Sequence, residues 1–221
     1  MTHTPTIGAP LQGEWRFFRP PGHHPNAFDF VQTVDGRMHN ASRLRTVAGG
    51  IPSPRFHCWG EPVLAPIDGV VLHCAGDWPD HRHNSLLSMV TRWFDATYRF
   101  RPDMDRGFPD IRPNAGNYVM IQSDQGYIVF LAHLQCGSLC VAKGDTVTAG
   151  QTLGRVGNSG NSTAPHLHLN LFDQMDDPLG AQVLPFVFTE FEIHDKSDGW
   201  QWRERSLPAE KTTLRFQTRP G

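Results

Sequence analysis

No stretch of the chain approaches the roughly 20 consecutive apolar residues that a membrane-spanning helix needs. Neither sign of charge dominates: 20 Lys and Arg stand against 22 Asp and Glu, a formal net charge of −2 with 12 histidines taken as neutral. Such a balance lacks the basic stripe of a general nucleic-acid binder. The opening residues, MTHTPTIGAPLQGEWRFF, lack the basic start and apolar run of a secretory signal, so no export leader is expected. Cysteine is scarce. Cys58, Cys74, Cys136 and Cys140 are too few in 221 residues for a disulfide framework, and read as buried or half-buried free thiols. No internal repeat and no low-complexity segment is present. Hydrophobic residues at 38% and charged residues at 19% exclude a disordered chain.

What the chain has in quantity is glycine (21), proline (18) and histidine (12). Glycine and proline punctuate short strands and turns. Pro62 to Leu72 reads as strand, Asp-Gly turn, strand. Asn117–Gln122 and Gly126–Ala132 read as a hairpin across Ser123-Asp124-Gln125-Gly126, and Leu167–Phe172 as a last core strand. Turns are expected at Lys143-Gly144-Asp145 and Ala149-Gly150. Only Ser85–Phe94 shows helical spacing of apolar residues, which predicts one short helix. Residues 31–54 and 74–116 interrupt the strand pattern and read as loop insertions that could rim a groove. From Leu184 on, Phe186, Phe188, Phe191, Ile193, Trp200 and Trp202 read as a β extension packing on the sheet. The whole, 1–221, reads as one mostly β domain built on an antiparallel sheet.

Three segments carry chemistry. Gly22 to Phe30 places His23 and His24 six and five residues before Asp29. Leu131-Ala132-His133-Leu134 closes an apolar strand on a histidine. A glycine-rich turn from Gly157 delivers His166 and His168, whose i, i+2 spacing points both the same way on a strand. Histidine and carboxylate together suit a catalytic zinc site, with three protein ligands at ~2.0–2.2 Å and a fourth position for water. Histidines that do not ligate can move protons beside it. His81 and His83 share the i, i+2 spacing but lie in the polar insertion and read as solvated loop. His57 and His73 flank the first strand-turn-strand unit and read as surface or groove-edge residues, and His3, His39 and His194 have no supporting context.

Gly116 to Ile121, Ala132-His133-Leu134, Val141 to Val147, Gly150 to Gly160 and Pro165-His166-Leu167-His168, with Glu61 to Val71, resemble the lysostaphin-type (LytM-like) zinc metallopeptidases. The likeness extends over about half the chain. It implies a compact β-sheet or sandwich of the duplicated hybrid motif type. The implied activity is an endopeptidase that cleaves peptide cross-links of bacterial peptidoglycan with a metal-activated water. Asp29 and His168 then fall at metal-ligand positions, His133 and His166 at the positions of the unligated catalytic histidines, and Asn117 at a polar position near the substrate. The common pattern puts a histidine four residues before the aspartate, where this chain has Pro25. A longer-spaced variant fits His23, with His24 as the alternative. The implied cofactor is Zn2+ and the implied partner a peptide, a peptidoglycan stem or cross-bridge, with no nucleic acid. A peptidoglycan hydrolase acts outside the cytoplasmic membrane, so the expected lack of a leader leaves the compartment open between exported and cytoplasmic. The altered histidine spacing also admits a weak or inactive binding module on the same scaffold. Lipoyl- and biotin-carrying domains share the glycine turns, but no lysine here sits at a suitable hairpin tip.

Overall fold

The computed structural model describes residues 4–19, 23–42, 50–95, 109–175 and 180–217. Among these the chain is mostly strand. It begins with β1 (Thr6–Ile7), β2 (Gly13–Phe18) and β3 (Phe28–Val31), followed by the short β4 (Ile51–Pro52) and β5 (Pro62–Leu64). Then come β6 (Gly69–Ala75), β7 (His83–Asn84) and two helices, α1 (Leu86–Phe94) and α2 (Arg112–Ala115). The middle of the chain supplies β8 (Asn117–Gln122), β9 (Ile128–Leu134), β10 (Thr146–Val147), β11 (Thr152–Arg155) and β12 (Leu167–Phe172). The tail adds β13 (Val183–Leu184), β14 (Val187–Asp195), β15 (Gly199–Ser206) and β16 (Thr213–Phe216).

The main sheet runs β1-β14-β16-β2-β3-β12-β9-β8-β6-β10, with β13 beside β12 and β15 beside β14. Its pairs are antiparallel except β1 with β14, which makes the sheet mixed at that edge. The β8–β9 hairpin follows the sequence expectation. Ser123 N–H donates to Tyr127 O at 2.9 Å and Gly126 N–H to Ser123 O at 3.1 Å, and Gly126 adopts the positive φ (91°) that only glycine takes without strain.

Alternation along the central strands divides the sheet into two faces. Val119, Ile121, Val129, Leu131, Leu167, Leu169 and Leu171 join the main core, where Val63 and Leu153 of the small β5–β11 sheet cover them. Tyr118, Met120, Phe130 and Ala132 form a second cluster on the opposite face, the face on which the site lies. Each of the buried Val, Leu, Ile, Met and Phe side chains among these contributes about 1.5–3 kcal/mol by leaving water. The carboxyl-terminal strands lie within the main core: Phe186, Phe188, Phe191, Leu214 and Phe216 pack with Trp15, Phe17, Phe28 and Phe30.

Three expectations are corrected. Pro62 to Leu72 is not a hairpin, because β5 pairs with β11 and β6 with β8. The Asp-Gly corner is tied to a third segment instead, with Ala65 N–H donating to Gln151 O at 2.8 Å and Ala149 N–H to Asp68 Oδ1 at 2.7 Å. The two insertions are not plain loops, since β4 and β7 pair with each other through Ile51–Asn84 and Pro52–His83. Helix α1 lies where predicted, started by a capping box in which Ser85 Oγ accepts from Ser88 N–H and Ser88 Oγ from Ser85 N–H. Parts of both insertions, 43–49 and 96–108, lie outside the described residues. Finally, Cys58 is buried and Cys74 half-buried, but Cys136 and Cys140 are exposed, on the turn that leaves β9.

Candidate active site

Three neighbouring strands build the site. In the register of β3, β12 and β9, His168 lies opposite Asp29 on one side and Ala132 on the other. Asp29 is almost fully buried, and imidazole nitrogens surround its carboxylate. His168 Nδ1 is 2.9 Å from Oδ1, His166 Nε2 is 3.4 Å from Oδ2, and His23 Nδ1 is 3.7 Å from Oδ2. His23, Asp29 and His168 bring one potential ligand atom each to within 4.8 Å of one another. His24 does not join them. It is exposed, and its Nδ1 accepts from Asn26 N–H at 3.1 Å within its own turn. That turn, closed by Ala27 N–H donating to His24 O at 2.9 Å, spends the residues between His23 and β3 and lets His23 reach back to Asp29. The longer spacing is thereby absorbed.

His133 reaches the site by breaking alternation. Leu131 faces the main core and Ala132 the second cluster, so a regular strand would return His133 to the main core. Instead the register steps from Ala132 opposite Tyr118 to Leu134 opposite Asn117, leaving His133 as the extra residue of a bulge with φ 63°. Leu134 then falls in the main core, and the imidazole of His133 stands 4.7 Å from that of His166, centre to centre. Its Nδ1–H donates to Ser159 O at 2.9 Å. His166 is held alike, Nδ1–H donating to Ala164 O at 2.7 Å with Ser162 Oγ at 3.2 Å. A neutral imidazole that donates through Nδ1 keeps its lone pair at Nε2. Both rings therefore present Nε2 as a proton acceptor.

Burial raises the Asp29 carboxyl's pKa, but His166, the His168 hydrogen bond and His23 outweigh burial and hold it well below the usual carboxylate range. Burial lowers His23, with Asp29 opposing and the other two imidazoles adding to the drop. His133 is pushed well below the ordinary histidine value, first by burial and then by His166 and His168. The site thus favours an anionic Asp29, with His23 and His133 shifted toward the uncharged form.

Asn117, the residue expected at a polar position near the substrate, opens β8. It is fully buried, its Oδ1 accepts from Trp78 N–H at 2.7 Å, and its Nδ2 donates to Trp78 O at 2.8 Å and Leu134 O at 3.0 Å. With every polar atom of the amide engaged, it clamps the Trp78 segment to the end of β9. Several residues of this frame escape sequence reasoning. Ser159 Oγ accepts from Asn117 N–H and donates to Leu134 O, and Asp80 accepts from Asn158 N–H and Cys136 N–H. Arg92 of α1 donates to Ser162 O at 2.9 Å, tying the helix to the loop that precedes His166. The run of small polar residues from Asn158 to Thr163 was the available signal, but it names no partner.

Residues 108–179 match the model of peptidase family M23. This part of the chain is similar to M23 peptidases. It carries His133, His166 and His168, whereas Asp29 joins from 139 residues before His168. Curated relatives similar to part of the chain include two peptidoglycan DD-endopeptidases of Vibrio cholerae serotype O1 (strain ATCC 39315 / El Tor Inaba N16961). ShyA is 46% identical over 59 residues, 27% of this chain and 13% of that protein. ShyC is 45% identical over 53 residues, 24% of this chain and 12% of that protein. The chain thus spans about an eighth of the length of these relatives. Among solved structures, the catalytic domain of lysostaphin from Staphylococcus simulans aligns over 83% of this chain and 86% of its own, at 17% identity and a TM-score of 0.40.

Proposed function

We propose that the chain is a zinc-dependent endopeptidase that hydrolyses peptide bonds of peptidoglycan cross-links. The observation that carries the proposal is the convergence of His23, Asp29 and His168 on one point from segments far apart in sequence, with two further imidazoles beside them. The donor set fits zinc. His23 Nδ1 and His166 Nε2 are buried, face Asp29 and make no hydrogen bond. A carboxylate ringed by imidazole lone pairs is satisfied by a divalent cation, and two histidines with one carboxylate are a zinc ligand set.

His23, Asp29 and His168 would hold the ion, which supplies Lewis acidity and activates water for attack on a carbonyl. His166 and His133 act through Nε2. Each ring is fixed by an Nδ1–H bond to a backbone carbonyl, so either can take a proton at Nε2 during attack and return it to the leaving amine. The DD-endopeptidase names of ShyA and ShyC support peptidoglycan as the substrate.

The test is digestion of intact peptidoglycan with mass analysis of the released fragments, alongside metal content of the purified protein. About one zinc per chain and released cross-link peptides are expected, with both lost in His168→Ala. Zinc retained without hydrolysis of any peptide would assign a binding module instead, and a chain that takes up no zinc would overturn the reading.

A further inference from the structure

We infer that Asn170 is the positioning residue of this centre, holding the His168 imidazole so that Nδ1 faces Asp29. The inference rests on the zinc reading above and adds a determinant outside the ligand set. His168 and Asn170 are two apart in β12 and share a face of the sheet. Asn170 Oδ1 lies 3.1 Å from His168 Nε2, while Nδ1 of the same ring lies 2.9 Å from Asp29 Oδ1. Both ring nitrogens thus face acceptors in the absence of an ion, the Asp29 carboxylate at Nδ1 and the Asn170 amide oxygen at Nε2. Once Nδ1 gives its lone pair to an ion shared with Asp29 and His23, the ring keeps its one proton on Nε2, where Asn170 Oδ1 accepts it. That is the form a metal ligand needs.

The state of Asn170 supports a role beyond packing. It is 3% exposed, and its Nδ2 is buried without a hydrogen-bond partner. Buried donors are nearly always paired. Here the side chain leaves its donor unpaired while its acceptor is engaged on His168. The ring is steadied from other sides as well, by Phe130 at 6.1 Å and His23 at 5.3 Å, centre to centre. These contacts restrain its plane but do not choose which nitrogen faces Asp29; the bond of Nε2 to Asn170 does.

The experiment compares the full chain with Asn170→Leu, which keeps the volume and removes the acceptor, and Asn170→Asp, which keeps an acceptor. Zinc affinity is measured by competition with a chromophoric chelator, and melting of the zinc-free proteins reports on the fold. Asn170→Leu should bind zinc 10–100-fold more weakly while its zinc-free form melts near the native protein, and Asn170→Asp should restore affinity. Long-range 1H–15N correlation on the zinc-loaded native protein should show His168 bound through Nδ1 with its proton on Nε2. Native-like zinc affinity in a folded Asn170→Leu, or binding of His168 through Nε2 in the zinc-loaded protein, would overturn the inference. A native chain that binds no zinc would instead sink the proposed function.

Discussion

At His133 the backbone is held where side chains other than glycine are strained, by a cost of about 1–3 kcal/mol. Two truncations separate the strain from the chemistry. His133→Ala and His133→Gly both remove the imidazole, and both should lower the peptidase rate by at least about 10²-fold. The glycine variant should be the more stable of the two by about 1 kcal/mol in urea unfolding. Equal stability would mean that the bulge relaxes once the ring is gone. Cys58 offers a second test at this scale. Its thiol donates to Pro165 O at 3.1 Å, next to His166, and burial pushes its pKa up to about 12. A thiol reagent at mildly alkaline pH should therefore modify exposed Cys136 and Cys140 and spare Cys58 in the folded protein, as peptide mapping would show. That His166 and His168 lie side by side was legible because a strand's period of two makes them point together. The bulge that re-aims His133 was not legible, since it is a property of the register with β8. The clamp that Asn117 makes on Trp78 was not legible for a similar reason: the two are 39 residues apart.

At the scale of elements, the site loop is held by groups the sequence hides. Helix α1 could be read from its apolar spacing, but its link to the loop through the Arg92 guanidinium could not. Arg92→Met keeps the aliphatic stem and removes the donors to Ser162 O and Asn84 Oδ1. It should cost about 1–3 kcal/mol, read from the urea midpoint, because buried acceptors lose a partner. His81, expected in solvent, instead donates through Nε2 to Gly160 O at 2.6 Å. Burial lowers its pKa, the bond to Gly160 and the nearby Asp80 oppose the drop, and Arg92 adds to it. The folded form therefore takes up this proton less readily than the unfolded chain, whose histidine titrates near about 6.5. Stability should fall as pH drops below that value and recover above it. His81→Gln, which keeps a donor for Gly160 O, should flatten the dependence of the zinc-free protein's melting temperature on pH between about 7.5 and 5.5. An unchanged slope would assign the dependence to other histidines.

At the scale of the whole molecule, the mostly β class and the carboxyl-terminal strands follow from alternation and turn residues alone. Which strand lies beside which does not, because pairing is fixed by packing between distant segments: β3, which carries Asp29, sits between β2 and β12, and β2 in turn sits beside β16. The tail thus braces the strand that brings the first carboxylate. Phe188, fully buried and in ring contact with Phe30 at 6.1 Å, is one step from that strand. Phe188→Ala should destabilise the fold by about 3–5 kcal/mol. Although it lies outside residues 108–179, it should also weaken zinc protection against heat, since a shifted β3 would hold Asp29 less well and the protection follows the affinity of the folded form. Loss of stability with zinc protection intact would show that β3 is positioned without the tail.

The placement of Asp29 in β3 also bears on biosynthesis. Its strand partners come from Phe17 and Phe18 upstream and from Leu167 to Leu169 far downstream, and β2 meets its other neighbour only at Thr213. During translation Asp29 waits for its partner His168 until β12 has been made. Pairings of such long sequence separation close slowly. A site assembled this way comes into being only after β12 and β16 have followed, so the nascent chain carries its parts before they meet.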